Sequence, residues 1–164
     1  MIKLSIKTAV IVVFAFCFGS LLSVAQGPAA APGPDSAFSI SRAQYLEPEE
    51  LNRLLQAPAA KRPLVLQVGS HVLFAEAHIP GSEYIGPGSR PAGLDLLKAR
   101  VASLPHDTFI VLYCGCCPWD RCPNIAPAFN TLRQIGFTRV KVLYLADNFG
   151  ADWVNKGFPV EQGR

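Results

Sequence analysis

Three short runs along the chain are apolar at nearly every position: "PLVLQVG" at 63–69, "DTFIVLYC" at 107–114 and "RVKVLYL" at 139–145. Each is bounded by proline, glycine or a charged residue, and runs of this length suit strands covered on both faces. The segments between them follow helical spacing. "EPEELNRLLQ" puts Leu51, Leu54 and Leu55 on one face, with Pro48 in a first turn and Glu49 and Glu50 near the positive end of the dipole. "AGLDLLKARVASL" repeats Leu94, Leu97, Val101 and Leu104 and is closed by Pro105.

"PNIAPAFNTLRQIG" predicts a helix from Pro123 to Gly136, with Pro127 confined to its first turns. "HIPGSEYIG" reads as a turn running into a short strand, and "GADWVNKG" as a last short helix before "FPV". Strands separated by helical segments predict an α/β fold, a mostly parallel central sheet flanked by helices. Ligands of such sheets bind beyond the carboxyl ends of the strands. Cys114 ends the second of these strands.

The amino-terminal part has a different character. "MIKLSIK" is basic, and the next 18 residues, Thr8 to Ala25, carry no charge. Ser23 and Ala25 flank Val24 in the pattern of a signal peptidase site, so residues 1–25 are read as a signal peptide and the protein as exported, periplasmic or secreted. An uncleaved membrane anchor is the alternative, since the run reaches the ~17–25 residues needed to span. Gly19, Ser20 and Ser23 interrupt its end and favour cleavage; Cys17 is then an apolar residue of the leader, leaving with it. Residues 26–37, rich in Pro, Ala and Gly, form a linker, and 38–164 remain as one domain.

Without Lys3 and Lys7 the mature chain has 13 basic and 12 acidic residues, a balance that gives no support to nucleic-acid binding. Four of the five cysteines fall between Cys114 and Cys122 in "YCGCCPWDRCPN". In an oxidising compartment such thiols pair or are deliberately kept reduced.

The order of "AHIPGSEYI", "IVLYC", "IGF", V-x-x-L at Val140–Leu143 and W-x-x-x-G-x-P-V from Trp153 to Val160 resembles the motif series of rhodanese-like domains. The resemblance spans roughly Ile40 to Val160. It implies a rhodanese fold and places that family's active-site cysteine at Cys114, where members hold a sulfane sulfur as a persulfide. The donor it implies is a small sulfur compound such as thiosulfate, with a thiol or thiol-redox protein as acceptor or partner. It also implies loop side chains around the pocket, here Trp119 as a wall; Arg121 stands as a guanidinium for the anion site, with a solvated loop residue paired with Asp120 as the equal alternative. His78, within the "HIPG" motif, is read as structural.

The chain departs from the family pattern where "D-V-R" becomes Gln67–Val68–Gly69, where Ala77 replaces a glycine, and where Asp147 and Asn148 replace a glycine pair. The loop after Cys114 departs most, and Arg121 stands seven positions on, so phosphatase chemistry is not inferred. A helix amino terminus after the loop would lower the Cys114 pKa and cradle an anion.

Three readings of Cys116, Cys117 and Cys122 stand side by side. A disulfide staple closes too little chain to stabilise much. A zinc or copper site has soft ligands, but C-x-C-C-x4-C lacks two separated C-x-x-C knuckles, so no metal or other cofactor is expected. A redox loop, in which one of the three resolves a persulfide on Cys114, uses the reach that Gly115 provides. The residues and the resemblance together predict a sulfurtransferase or thiol-redox protein; the alternative is a non-catalytic module binding a metal or a partner.

Overall fold

Along β4, Ile110–Tyr113, every side chain is buried, and successive residues enter opposite halves of the core. Ile110 and Leu112 pack with Leu97 and Val101 of α3, Pro91–Val101, and with Ala128 and Leu132 of α4, Ile125–Gln134. Val111 and Tyr113 pack on the other side with Leu51 of α1, Pro48–Leu55, and with Trp153. A strand sandwiched between two apolar layers must be apolar throughout, which is why its sequence shows no alternation. The computed structural model describes residues 40–163. The expected signal peptide and linker, 1–37, lie outside them.

The sheet has five strands, all parallel, in the order β1-β5-β4-β2-β3. β2 is Leu64–Gln67 and β5 is Val140–Leu143, as the apolar runs predict. β1, Tyr45–Leu46, and α2, His71–Glu76, were not expected, and β3 is only Glu83–Tyr84. Two-residue strands carry no periodicity, and α2 keeps Val72 and Leu73 exposed, so its pattern is not that of a buried helix. α3 ends at Val101, so Leu104 packs on the core from beyond the helix.

α4 begins two residues later than Pro123. Pro127 is its third residue, where the missing N–H has no intrahelical partner to lose. The expected last helix is a single π-helical turn, Gly150–Val154. No helix among the described residues is long and apolar enough to cross a membrane.

The "HIPGS" turn is held by side chains from the sheet. Tyr113 Oη accepts from Ile79 N–H at 3.3 Å and lies 3.0 Å from Ser82 Oγ. Burial pushes the Tyr113 hydroxyl up to about 12, so it stays neutral. His78 stacks on Phe74 and donates from Nδ1 to the Phe74 carbonyl at 2.8 Å, a structural role as expected.

Candidate functional site

β4 delivers Cys114 to the carboxyl edge of the sheet, on the face covered by α3 and α4, with only 4% of its surface exposed. The root of the loop is clamped by Gln67, opposite Tyr113 in the neighbouring strand. Gln67 Nε2 donates to the Cys114 carbonyl at 3.0 Å, and its Oε1 accepts Gly69 N–H at 3.0 Å. A Cβ on Gly69 would stand 2.8 Å from Cys114 Sγ, so the glycine that replaces a charged residue makes the space the sulfur occupies.

Gly115 then turns the chain with φ +77°, a conformation that favours glycine, and a Cβ there would meet Phe149 Cβ at 2.7 Å. The loop is pinned rather than free. Phe149 N–H donates to the Gly115 carbonyl at 3.0 Å, and Trp119 N–H to the Ala146 carbonyl at 3.1 Å. Trp119 also meets Tyr45 edge-on at 4.6 Å and donates from Nε1 to its hydroxyl at 3.2 Å. The expectation that flexibility lets the cysteines meet is therefore replaced by preformed contact.

Cys114 Sγ lies 3.0 Å from Cys116 Sγ, and Cys116 Sγ lies 3.4 Å from Cys117 Sγ. The three sulfurs all fall within 4.8 Å of one another, a convergence the linear spacing did not predict. Cys122 is buried in the same core cluster as Cys114, with Cys117 packed against it, and lies outside the converging set of three. All four cysteines are free thiols. Asn124 Nδ2 donates to Cys114 Sγ at 3.3 Å and reaches Cys116 Sγ at 3.9 Å, and nothing in its sequence context singled it out.

The charge distribution differs from the expectation. The neighbouring sulfurs of Cys116 and Cys122, and then burial, push the Cys114 pKa far up. Cys116 is held down to about 6, first by the Cys114 S–H and then by contacts from Cys117 and Asn124, against the opposing effect of burial. Cys122 also falls to about 6: the Cys114 S–H contributes most, burial opposes it, and the Asn124 and Ile125 N–H groups add to the lowering. The positive end of α4 thus serves Cys122 and not Cys114, because the helix starts at Ile125 beside Cys122. Burial pushes Cys117 up to about 12, and its contact with Cys116 adds to this.

Cys116 is exposed and opens into a groove of about 380 Å³ lined by Leu73, Glu76, Phe149 and Val154 among others. Neither Trp119 nor Arg121 lines that groove. Trp119 is half-buried against the core, and Arg121 is exposed with no side-chain hydrogen bond or ion pair among the described residues. A larger concavity, about 760 Å³, sits at the amino end of β2 and is lined by no cysteine, so size does not mark the site here.

The five-stranded parallel sheet flanked by helices matches the fold of known proteins. The family profile described as Rhodanese-like domain matches residues 47–145. The solution structure of a rhodanese-like domain from an Anabaena sp. protein is 25% identical, covering 73% of this chain and 79% of that one with a TM-score of 0.54. Thiosulfate sulfurtransferase from Pseudomonas aeruginosa is 22% identical over 73% of this chain and 20% of its own, TM-score 0.54. A Saccharomyces cerevisiae homolog of single-domain rhodanese and the Cdc25 phosphatase catalytic domain is 19% identical, with 74% and 88% covered and a TM-score of 0.51. The last two likenesses concern the fold alone, and comparison with curated proteins gives no match. The profile covers more than half of the residues, and on that ground the chain belongs to the rhodanese-like domain family.

Proposed function

We propose that the protein is a sulfurtransferase whose loop couples sulfur transfer to thiol redox chemistry, with Cys114 as the persulfide-forming residue. The observation that carries this reading is the 3.0 Å contact between Cys114 Sγ and Cys116 Sγ. In the first step the Cys114 proton passes along that contact to Cys116. The Cys114 thiolate then attacks the sulfane sulfur of a thiosulfate-like donor, the S–S bond of the donor breaks, and sulfite leaves with its electron pair. Arg121, exposed on the same loop, offers its guanidinium to the anionic donor.

Resolution follows from the same geometry. Cys116 sulfur attacks Cys114 Sγ, the persulfide bond breaks, and the Cys116 proton leaves with the terminal sulfur as hydrosulfide. Two thiols are oxidised to a disulfide while the sulfane sulfur is reduced to sulfide, so electrons balance. Cys122 is the second candidate for the resolving role, since it is buried in the same cluster as Cys114 and the Asn124 and Ile125 N–H groups at the start of α4 favour its thiolate. A dithiol, the class to which thiol-redox proteins belong, returns the loop to its reduced state through Cys116, the exposed member. The placement of this chemistry in the cell envelope rests on the amino-terminal leader, whose basic start and uncharged run direct export.

Intact mass of the metal-free, reduced protein after thiosulfate, followed by a sulfide assay, tests the reading. Wild type is expected to release hydrosulfide and to be lighter than the reduced protein by two hydrogen atoms without added thiol. Cys116→Ser is expected to retain a persulfide, and Cys114→Ser to form none. Undiminished sulfur transfer by Cys114→Ser overturns the assignment of Cys114.

A further inference from the structure

Cys117 is the one sulfur of the loop for which sulfur transfer has no task. Its position points elsewhere: it completes a triangle with Cys114 and Cys116 in which every sulfur lies within 4.8 Å of the others. We propose that Cys114, Cys116 and Cys117 form a three-thiolate site for a cuprous ion.

The geometry fits an ion seated among the three. At metal–sulfur distances of about 2.3 Å, three sulfurs around one ion stand roughly 4 Å apart. The observed edges of 3.0 and 3.4 Å are shorter than that value, and the exposure of Cys116 and partial exposure of Cys117 leave these sulfurs room to move apart. Thiolate is the soft ligand that selects cuprous copper, zinc or iron–sulfur clusters. Zinc in a closed site takes four ligands, and the mutually converging set has three, with Cys122 outside it. The set includes no histidine or carboxylate. A low-coordinate monovalent ion is the match.

The surroundings support anionic sulfur. Asn124 Nδ2 faces both Cys114 and Cys116, the kind of supporting N–H donor that orients metal ligands and tunes their charge. Binding exchanges thiol protons for the ion, transfers no electrons and leaves copper monovalent. Copper and sulfane sulfur would then compete for Cys114, so the bound ion shuts off persulfide formation. The site stands on the sulfur triangle and does not depend on the transfer reading.

Anaerobic titration of the reduced full chain with cuprous copper, against a chromophoric cuprous chelator, tests the proposal. One ion per chain is expected to resist the chelator, and X-ray absorption at the copper edge is expected to show three sulfur neighbours. Cys117→Ser is expected to weaken retention by roughly 100-fold or more, at least the loss that removing a supporting contact of a metal site can reach. Cys122→Ser is expected to keep the ion. Complete transfer of copper to the chelator, equal retention by wild type and Cys117→Ser, or a four-sulfur shell that includes Cys122 overturns it. The sulfur count on wild type stands whether or not a variant folds. Sulfide release is read on metal-free protein, so either reading can fail while the other holds.

Discussion

Asn124 donates from Nδ2 to Cys114 Sγ at 3.3 Å, and from the other end of the same amide its Oδ1 accepts Ser89 N–H at 3.1 Å. It sits at the cap position of α4 yet makes no side-chain cap bond, because both ends of its amide are committed elsewhere. The packing around it is close: a Cβ on Gly88 would fall 2.2 Å from the Asn124 carbonyl oxygen. One buried side chain thus ties the loop after β3 to the sulfur cluster.

Asn124→Ala is expected to lower stability by about 1–3 kcal/mol, since it leaves Ser89 N–H without its partner and removes a donor from the sulfurs. Urea unfolding measures the first effect. Slower alkylation of Cys116 at neutral pH, followed by peptide mass spectrometry, measures the second. A variant with wild-type alkylation would show that the amide does not support the thiolate.

Gly69→Ala places a methyl 2.8 Å from Cys114 Sγ and 2.9 Å from its carbonyl oxygen. The strand and the loop root must shift, at a cost of about 1–3 kcal/mol for an overpacked core position. Loss of thiosulfate-dependent persulfide should accompany the fall in denaturation midpoint. Unchanged persulfide formation would mean that the sulfur can move aside without penalty.

Thiolate chemistry at Cys116 should appear at unusually low pH in the metal-free, reduced protein. Its pKa is lowered to about 6, well below the ordinary thiol range, chiefly by its hydrogen bond with Cys114. The reactive form is the deprotonated one, so its alkylation rate rises with pH through about 6 and levels above it. Cys117 and Cys122 are its titrating neighbours with Cys114, and Glu76 is the carboxylate lining the groove in front of it. Cys114→Ala removes the principal donor and should move the midpoint upward. A midpoint unaffected by that substitution would assign the lowering to another contact.

Trp119 and Arg121 were both expected at the substrate, and their surroundings separate them. Trp119→Ala strips the contacts to Tyr45 and Tyr144, at about 2–3 kcal/mol, somewhat under the ~3–5 of a fully buried aromatic. It should leave the KM for thiosulfate unchanged once the protein is folded. Arg121→Ala should instead raise that KM by about two- to fivefold with little change in stability, in keeping with an exposed charge contact. A raised KM for the tryptophan variant alone would reverse the two roles.

The chain's own pattern determined the sheet's central strands, the α/β class and the place of Cys114. Strands buried on both faces write themselves as continuous apolar runs, and a cysteine ending such a run must lie at the sheet's carboxyl edge. Proline and glycine punctuation likewise marked α1 and the close of α4 at Gly136, where φ is +97°. Short elements left no such trace: β1 and β3 have two residues each and exist through their partners in the sheet. The sulfur cluster belongs to the tertiary level for a related reason. The spacing C-x-C-C-x4-C says nothing of direction. Directions come from the left-handed turn at Gly115, the Phe149 Cβ packed where a side chain on Gly115 would stand, the hold of Trp119 on Tyr45 and the amide of Asn124. Which cysteine carries charge was decided there too, because a thiol's proton goes where neighbouring donors leave it, and only the folded path of the loop brings the Asn124 amide and the Asn124 and Ile125 N–H groups onto the sulfurs.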